Sequence, residues 1–366
     1  MKRSGRPINF LPGPVAIHDA VRRALAGPPV SHRAAPFMAE VAAIRRDLCQ
    51  RTGSPHVEIL LGSGTLGNEA VAAQLSLRPG RGAVLVNGEF GSRLAAQGRR
   101  WRLPFRELAA GWGEPWPLDE LRQALQADPE IRWVWAVHCE TSTGVLNDLE
   151  GLTEIAQDRG VALCLDCISS IGNVPVDLSR VHLATGVSGK GLASFPGLAL
   201  VFHAEAVEPA PNLPHYLDLG SYAGSGSIPF TTSTNLVSAL AASLARSARQ
   251  DGFAGRRELA DWLRPRLEGL GFAVMAPEPI AAPMVLTLLP PAGVTALALG
   301  EALEERGIWL SYRSGYLVER NLLQVCLMGE HHRWELEELV GVLAAWGRER
   351  QPSALRVEQP FGFGLA

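Results

Sequence analysis

The sequence predicts an α/β fold with a mostly parallel sheet, followed by a separate, smaller α+β domain. Three observations lead there. Between about residues 57 and 205 one unit recurs: a short apolar run, a loop rich in Gly, Ser and Thr, and a helical pattern. From about residue 255 the order changes to helix, strand, helix, two strands and a last helix. The 366 residues are 47% hydrophobic and 19% charged, enough apolar material for one large core and a smaller one.

The units follow in order. "VEILLGSGTLGNEAVAAQL" gives a strand, the loop Gly62 to Thr65 and a helix. "GAVLVNGEFGSRLAAQGRR" is the second, and "IRWVWAVHCETSTG" leads into "LEGLTEIAQDRG". "VALCLDCISSIG" and "HLATGVSGKG" come next, with "GLALVFH" behind them. The polar loops all fall at the C-terminal ends of strands, where open parallel sheets bind ligands. A long helix, "PFTTSTNLVSALAASLARSAR", closes this part. Beyond it lie the strands "PMVLTLLP", "IWLSYR" and "NLLQVCLMG" and the helices "VTALALGEALEERG" and "WELEELVGVLAAWGRER". The expected division is an N-terminal segment, 1–20, packed on the small domain and the active site. A large domain, 21–254, a small domain, 255–350, and an irregular tail, 351–366, complete it.

A net charge of −3 and a pI of about 6.3 argue against a nucleic-acid or membrane-surface partner. No apolar run is long and clean enough to span a bilayer. The five cysteines form no disulfide framework. Cys164 and Cys167 are spaced as CxxC, but inside an apolar strand-like run. We expect reduced, mostly buried thiols in a cytoplasmic protein, and no metal site, since no histidine pair has ligand spacing.

The basic residues single out one position. Of 34, only Lys2 and Lys190 are lysines. Arg serves wherever a positive charge suffices. A lysine kept in the interior points to chemistry that a permanently protonated guanidinium cannot do. The alternative is a chance survivor of an Arg-rich bias. Around Lys190 the loops offer matching groups. Ser63, Gly64 and Thr65 open a helix whose free N–H groups suit an anion. Phe90 is either a core plug or a plate for a flat ring. Thr141 supplies a hydroxyl. Asp166 ends an apolar strand, where it is either a sheet-end cap or a carboxylate with a cationic partner. Jointly these groups fit pyridoxal 5'-phosphate (PLP). That cofactor needs an amine, an anion cradle, an aromatic surface, a hydroxyl near its phenolic oxygen and a carboxylate for its pyridine nitrogen.

The motifs "NFLPGPV", "GSGTLGNEA", "VNGEFGSRLA", "HCETSTGVLND", "LDCISSIGNVPVD", "SGKGLASFPGLALV", "FTTSTNLVSAL" and "LQVCLMG" resemble, in order and over nearly the whole chain, the class V aminotransferase family of fold type I PLP enzymes. The chain is most similar there to 2-aminoethylphosphonate and alanine–glyoxylate/serine–pyruvate transaminases. The resemblance implies a seven-stranded, mostly parallel sheet and a homodimer. It implies Lys190 as the Schiff-base lysine and Asp166 at the pyridinium. It places Phe90 on the ring, Thr141 by the phenolic oxygen, and Ser63, Gly64, Thr65 and Ser188 around the phosphate. Thr231 would reach the cofactor of the partner subunit.

Two departures stand out. Gly189 precedes the lysine where relatives carry Gln or Asn. Gln324 stands where the family has an Arg for the substrate acid, and an amide does not replace a bidentate cation. We expect Arg313 to take over, or a donor without that acid group. The implied activity is transfer of an amino group from a 2-aminoethylphosphonate-, alanine- or serine-like donor to a 2-oxo acid such as pyruvate or glyoxylate. The alternatives are a PLP-dependent lyase or desulfurase on the same fold, or a non-catalytic protein of that fold.

Overall fold

The computed structural model describes residues 7–247 and 252–350. The expected tail, 351–366, lies outside the described residues.

Seven strands form the main sheet: β1 (His56–Leu61), β2 (Arg81–Val86), β3 (Phe105–Ala109), β4 (Ile131–Val137), β5 (Ala162–Asp166), β6 (Leu183–Val187) and β7 (Leu198–His203). Their order is β1-β7-β6-β5-β4-β2-β3. All pairings are parallel except the two that β7 makes. β4 reads "IRWVWAV" because both of its faces are covered. Val134 and Ala136 pack towards helix α1 (Ala35–Thr52). Trp133 and Trp135 pack towards α2 (Gly64–Ser76) and α3 (Glu89–Arg100). Helix α4 (Leu149–Arg159) follows β4, capped by the Asp148 side chain on the Gly151 N–H. The parallel strands bring the starts of α2 and α3, the turn after Cys139, Asp166 and the Lys190 loop to one sheet edge.

Helix α5 (Thr234–Ser247) leaves this unit, and α6 (Gly252–Gly269) opens the next. There β8 (Ala273–Val274), β9 (Val285–Leu289) and β10 (Leu323–Cys326) form an antiparallel sheet. Leu263, Leu288, Leu299, Leu323 and Leu339 give it a core of its own, with α7 (Ala296–Glu305) and α8 (Arg333–Arg350). The strand expected at "IWLSYR" is only Ile308–Trp309. It pairs in parallel with Ile8–Asn9, and a single bridge, Ser311 to Gln324, ties its end to β10. The N-terminal segment therefore joins the small core, with Phe10 fully buried there. Among the described residues no helix is long and apolar enough to cross a membrane.

Candidate active site

Ser63 is the N-cap of α2 and makes no side-chain capping bond; Leu66 N–H donates to Ser63 O at 2.9 Å, and the N–H groups of Gly64 and Thr65 are left open. A Cβ on Gly64 would lie 2.5 Å from Ile168 Cδ1, so any larger residue would push that side chain aside in the loop after β5. Phe90 sits in the first turn of α3, and Glu140 fixes that turn. The carboxylate accepts from Gly91 N–H (2.9 Å), Phe90 N–H (3.3 Å) and the Ser142 hydroxyl (2.5 Å). Burial pushes the Glu140 pKa up, and these donors offset part of that rise. Gly88 is required beside it, because a Cβ there would meet Glu140 Cγ at 2.5 Å.

Lys190 projects from the loop after β6. Its Nζ donates to Ser169 Oγ at 2.9 Å, and Ser169 Oγ lies 2.5 Å from Thr141 Oγ1. The amine is 5.5 Å from the centre of the Phe90 ring. Burial lowers the lysine pKa, and Asp166 opposes that shift. Asp166 accepts from Asn68 Nδ2 (2.8 Å) and from Ile168 N–H (2.9 Å). Burial raises its pKa, against those two hydrogen bonds and the Lys190 charge. Gly64, Thr65, Phe90, Thr141, Asp166 and Lys190 thus line one cavity of about 370 Å³. Gly189 fits because an added Cβ would lie 2.8 Å from Pro196 Cα, so a longer side chain is excluded there.

Five expected residues do not line this cavity. Ser63 stays exposed at the cap. Ser188 turns into its own loop, where its hydroxyl donates to Phe195 O at 2.6 Å. Thr231 is exposed and outside its own chain's cavity. Gln324 is wholly buried, and its Nε2 donates to Thr141 O (2.5 Å) and Thr287 Oγ1 (2.9 Å) while Oε1 accepts from the Tyr316 hydroxyl (3.3 Å). Both ends of the amide are thus engaged inside the protein. Arg313 is 57% exposed and bonds Glu304 at 2.5 Å in a separate groove, outside the lysine cavity. The arginines that do line the lysine cavity are Arg93 and Arg100. Arg93 lies 5.0 Å from the Phe90 ring centre and bonds Glu89 at 2.9 Å.

Asn68, Ser169, Glu140 and Arg93 are the participants that motif reading missed. Asn68 carries a signal: it is a poor helix former inside the apolar helix "GTLGNEAVAAQL". It bridges Asp166 to the Thr185 hydroxyl, whose bond to Asn68 Oδ1 is 2.8 Å. Cys164 and Cys167 are buried, and burial pushes the Cys164 thiol up to about 12, which disfavours the reactive thiolate.

A lysine and a carboxylate lining one cavity at the C-terminal edge of such a sheet are the mark of an enzyme of the aminotransferase fold. An alanine–glyoxylate aminotransferase from Nostoc sp. superposes with a TM-score of 0.84 at 29% identity, over 94% of this chain and 96% of that one. The model of the class-V aminotransferase family matches residues 21–218. A 2-aminoethylphosphonate–pyruvate transaminase from Pseudomonas fluorescens is 34% identical over 67% of this chain and 70% of its own length. A soluble hydrogenase 42 kDa subunit from Anabaena cylindrica is 33% identical over 77% and 78%. The chain belongs to the class-V aminotransferase family, and it is a transaminase.

Proposed function

We propose that the chain carries PLP on Lys190 and moves an amino group from a small donor to a 2-oxo acid such as pyruvate or glyoxylate. The observation that carries this reading is the Lys190 amine, which lines one cavity with Asp166, Phe90 and the open N-terminus of α2. The residues fit the cofactor. The uncapped first turn at Gly64 and Thr65 suits its phosphate. Phe90 offers the aromatic face, and Asp166 gains a cationic partner in the ring nitrogen. Bound there, PLP supplies an aldehyde for amines and a cationic ring that withdraws electrons from the adjacent carbon.

The chain supplies the rest. Ser169 and Thr141 orient the Lys190 amine. Its neutral form, favoured by burial, takes the proton from the donor Cα. Arg93 holds the donor's acid group, in place of Gln324 and Arg313. Relatives named for 2-aminoethylphosphonate and pyruvate support an acidic donor and a small oxo acid. We further assign the enzyme to the cytoplasm as a homodimer, in which the exposed Thr231 serves the partner's cavity. Five cysteines without a disulfide agree with that compartment.

The test is a donor panel with PLP and either pyruvate or glyoxylate, followed by mass spectrometry of the new amino acid. Transfer from 2-aminoethylphosphonate, alanine or serine is expected. No transfer from any donor to either acceptor would sink the reading.

A further inference from the structure

Asn68 sits in the second turn of α2, is 6% exposed and lines the lysine cavity. Its side chain spans two neighbouring strands, because Asp166 at the end of β5 is the register partner of Thr185 on β6. On one side Asn68 Nδ2 donates to Asp166 Oδ2 at 2.8 Å. On the other, Asn68 Oδ1 accepts from the Thr185 hydroxyl at 2.8 Å.

The two oxygens of Asp166 each take one donor, Ile168 N–H on Oδ1 at 2.9 Å and Asn68 on Oδ2. An ionised carboxylate uses both. Protonating either oxygen turns a hydroxyl towards an N–H that needs an acceptor, so the pair of donors favours the anion. The Ile168 donor belongs to the backbone, and Asn68 is the donor that depends on a side chain. An amide alone would not enforce the charge. Turned over, it would present Oδ1 to a protonated Asp166 and Nδ2 to Thr185 Oγ1, and would serve the neutral acid equally well. Thr185 opposes that alternative. It is wholly buried, and the Asn68 oxygen is the acceptor that its hydroxyl meets among the described residues. Turning the amide over would leave that hydroxyl proton unmatched in the interior, which is destabilising.

Burial pushes the Asp166 pKa up, and the Asn68 bond is the largest influence pulling it back, ahead of Ile168 N–H and the Lys190 charge. The other titratable groups that feel this carboxyl are the Cys139 and Cys167 thiols, both raised by burial and so neutral.

We infer that Asn68, oriented by Thr185, is a positioning residue that holds the Asp166 carboxyl ionised. Its part in the reaction rests on the proposed seat of Asp166 at the ring nitrogen of PLP, where a neutral acid would not keep that nitrogen protonated.

The experiment reads Asp166 in the full chain before PLP is added. The protein is isotope-labelled at the aspartate carboxyl carbons and titrated by NMR, and the Asp166 signal is the one missing from Asp166→Asn. Asn68→Leu should raise the midpoint by about one to two pH units, the loss of one hydrogen bond to a charged group. Thr185→Val keeps the volume, frees the amide to turn and should raise the midpoint by at least about half a unit. Thr185→Ser, which keeps the hydroxyl, should leave it unchanged. PLP affinity is then compared across pH. Below its shifted midpoint Asn68→Leu should bind PLP about tenfold more weakly than the wild type. The gap should close as pH rises and the variant carboxyl ionises. An unchanged midpoint in folded Asn68→Leu overturns the inference, and an unchanged midpoint in Thr185→Val overturns the orienting hydroxyl. An affinity gap that stays constant with pH overturns the link to charge and leaves Asn68 a packing residue. If Asn68→Leu fails to fold, judged by circular dichroism, Thr185→Val carries the test. A wild-type chain that never attaches PLP sinks the transaminase reading, while the Asp166 titration still decides the role of Asn68.

Discussion

Lys190 and Gln324 both reach the Thr141–Ser142 turn, one from the loop after β6 and the other from strand β10. Lys190 arrives through Ser169, with its amine on the cavity wall and its charge disfavoured by burial. Gln324 arrives directly, wholly buried, with both ends of its amide engaged inside the protein. The difference separates two uses of a buried polar group. An amine that lines a cavity and is held by a single hydroxyl can react. An amide whose donors and acceptor are all matched can only hold its neighbours. Gln324 therefore ties strand β10 to the Thr141–Ser142 turn, which in the proposed reading leaves the substrate acid to Arg93.

Breaking the reactive side should give the largest effect. Lys190→Ala removes the amine that takes the Cα proton, and a loss of at least about a thousandfold in turnover is expected. In the wild type, reduction with borohydride followed by peptide mapping should place the phosphopyridoxyl group on Lys190. Finding it on Lys2 would end the comparison. Because burial favours the neutral amine, the attachment rate should reach half its plateau below pH 10.5, the ordinary lysine value.

A smaller effect tests where recognition went. Arg93→Ala should raise KM for an acidic donor about tenfold to hundredfold, the loss of one charged hydrogen bond of roughly 1.5–3 kcal/mol. Arg313→Ala should leave KM unchanged, since that guanidinium is turned to Glu304. The reverse pattern in steady-state kinetics would return the role to Arg313.

The smallest change should come from the holding side. Gln324→Leu leaves Thr141 O and Thr287 Oγ1 without their donor, at about 1–3 kcal/mol. Thermal unfolding should shift down by a few degrees, and kcat should fall with KM for the donor little changed. A steep rise in KM with no loss of stability would make Gln324 a substrate contact after all.

Much of this was legible in the sequence. The apolar runs of β4 and β5 and the small-residue loops behind them announced the parallel sheet, and Gly64, Thr65, Phe90, Thr141, Asp166 and Lys190 all fall where those loops converge. Local pattern could not show what depends on distant pairing. "IWLSYR" looked like a long strand, yet its partner is Ile8–Asn9, some three hundred residues away, and only two residues pair. The surroundings of Arg313 and Gln324 were not legible for a related reason. Which way a side chain points from a short strand depends on register, and register is set by a partner that the window does not contain. Gln324 faces Thr141, and Arg313 is drawn aside by Glu304 on α7.

The tie at Gln324 also constrains how the protein can move. Thr287 Oγ1 donates to Ser142 O at 3.2 Å and Ala282 N–H donates to Gly144 O at 2.8 Å, so three bonds stitch the small sheet to one turn. A small sheet hinged freely would open and close like a lid, leaving the floor beneath it at rest. Stitched in this way, it works as a lever. Any swing must pull on the turn, and the turn carries the hydroxyl against which Ser169 and the lysine are set. Opening the protein and aiming the amine are one mechanical coordinate.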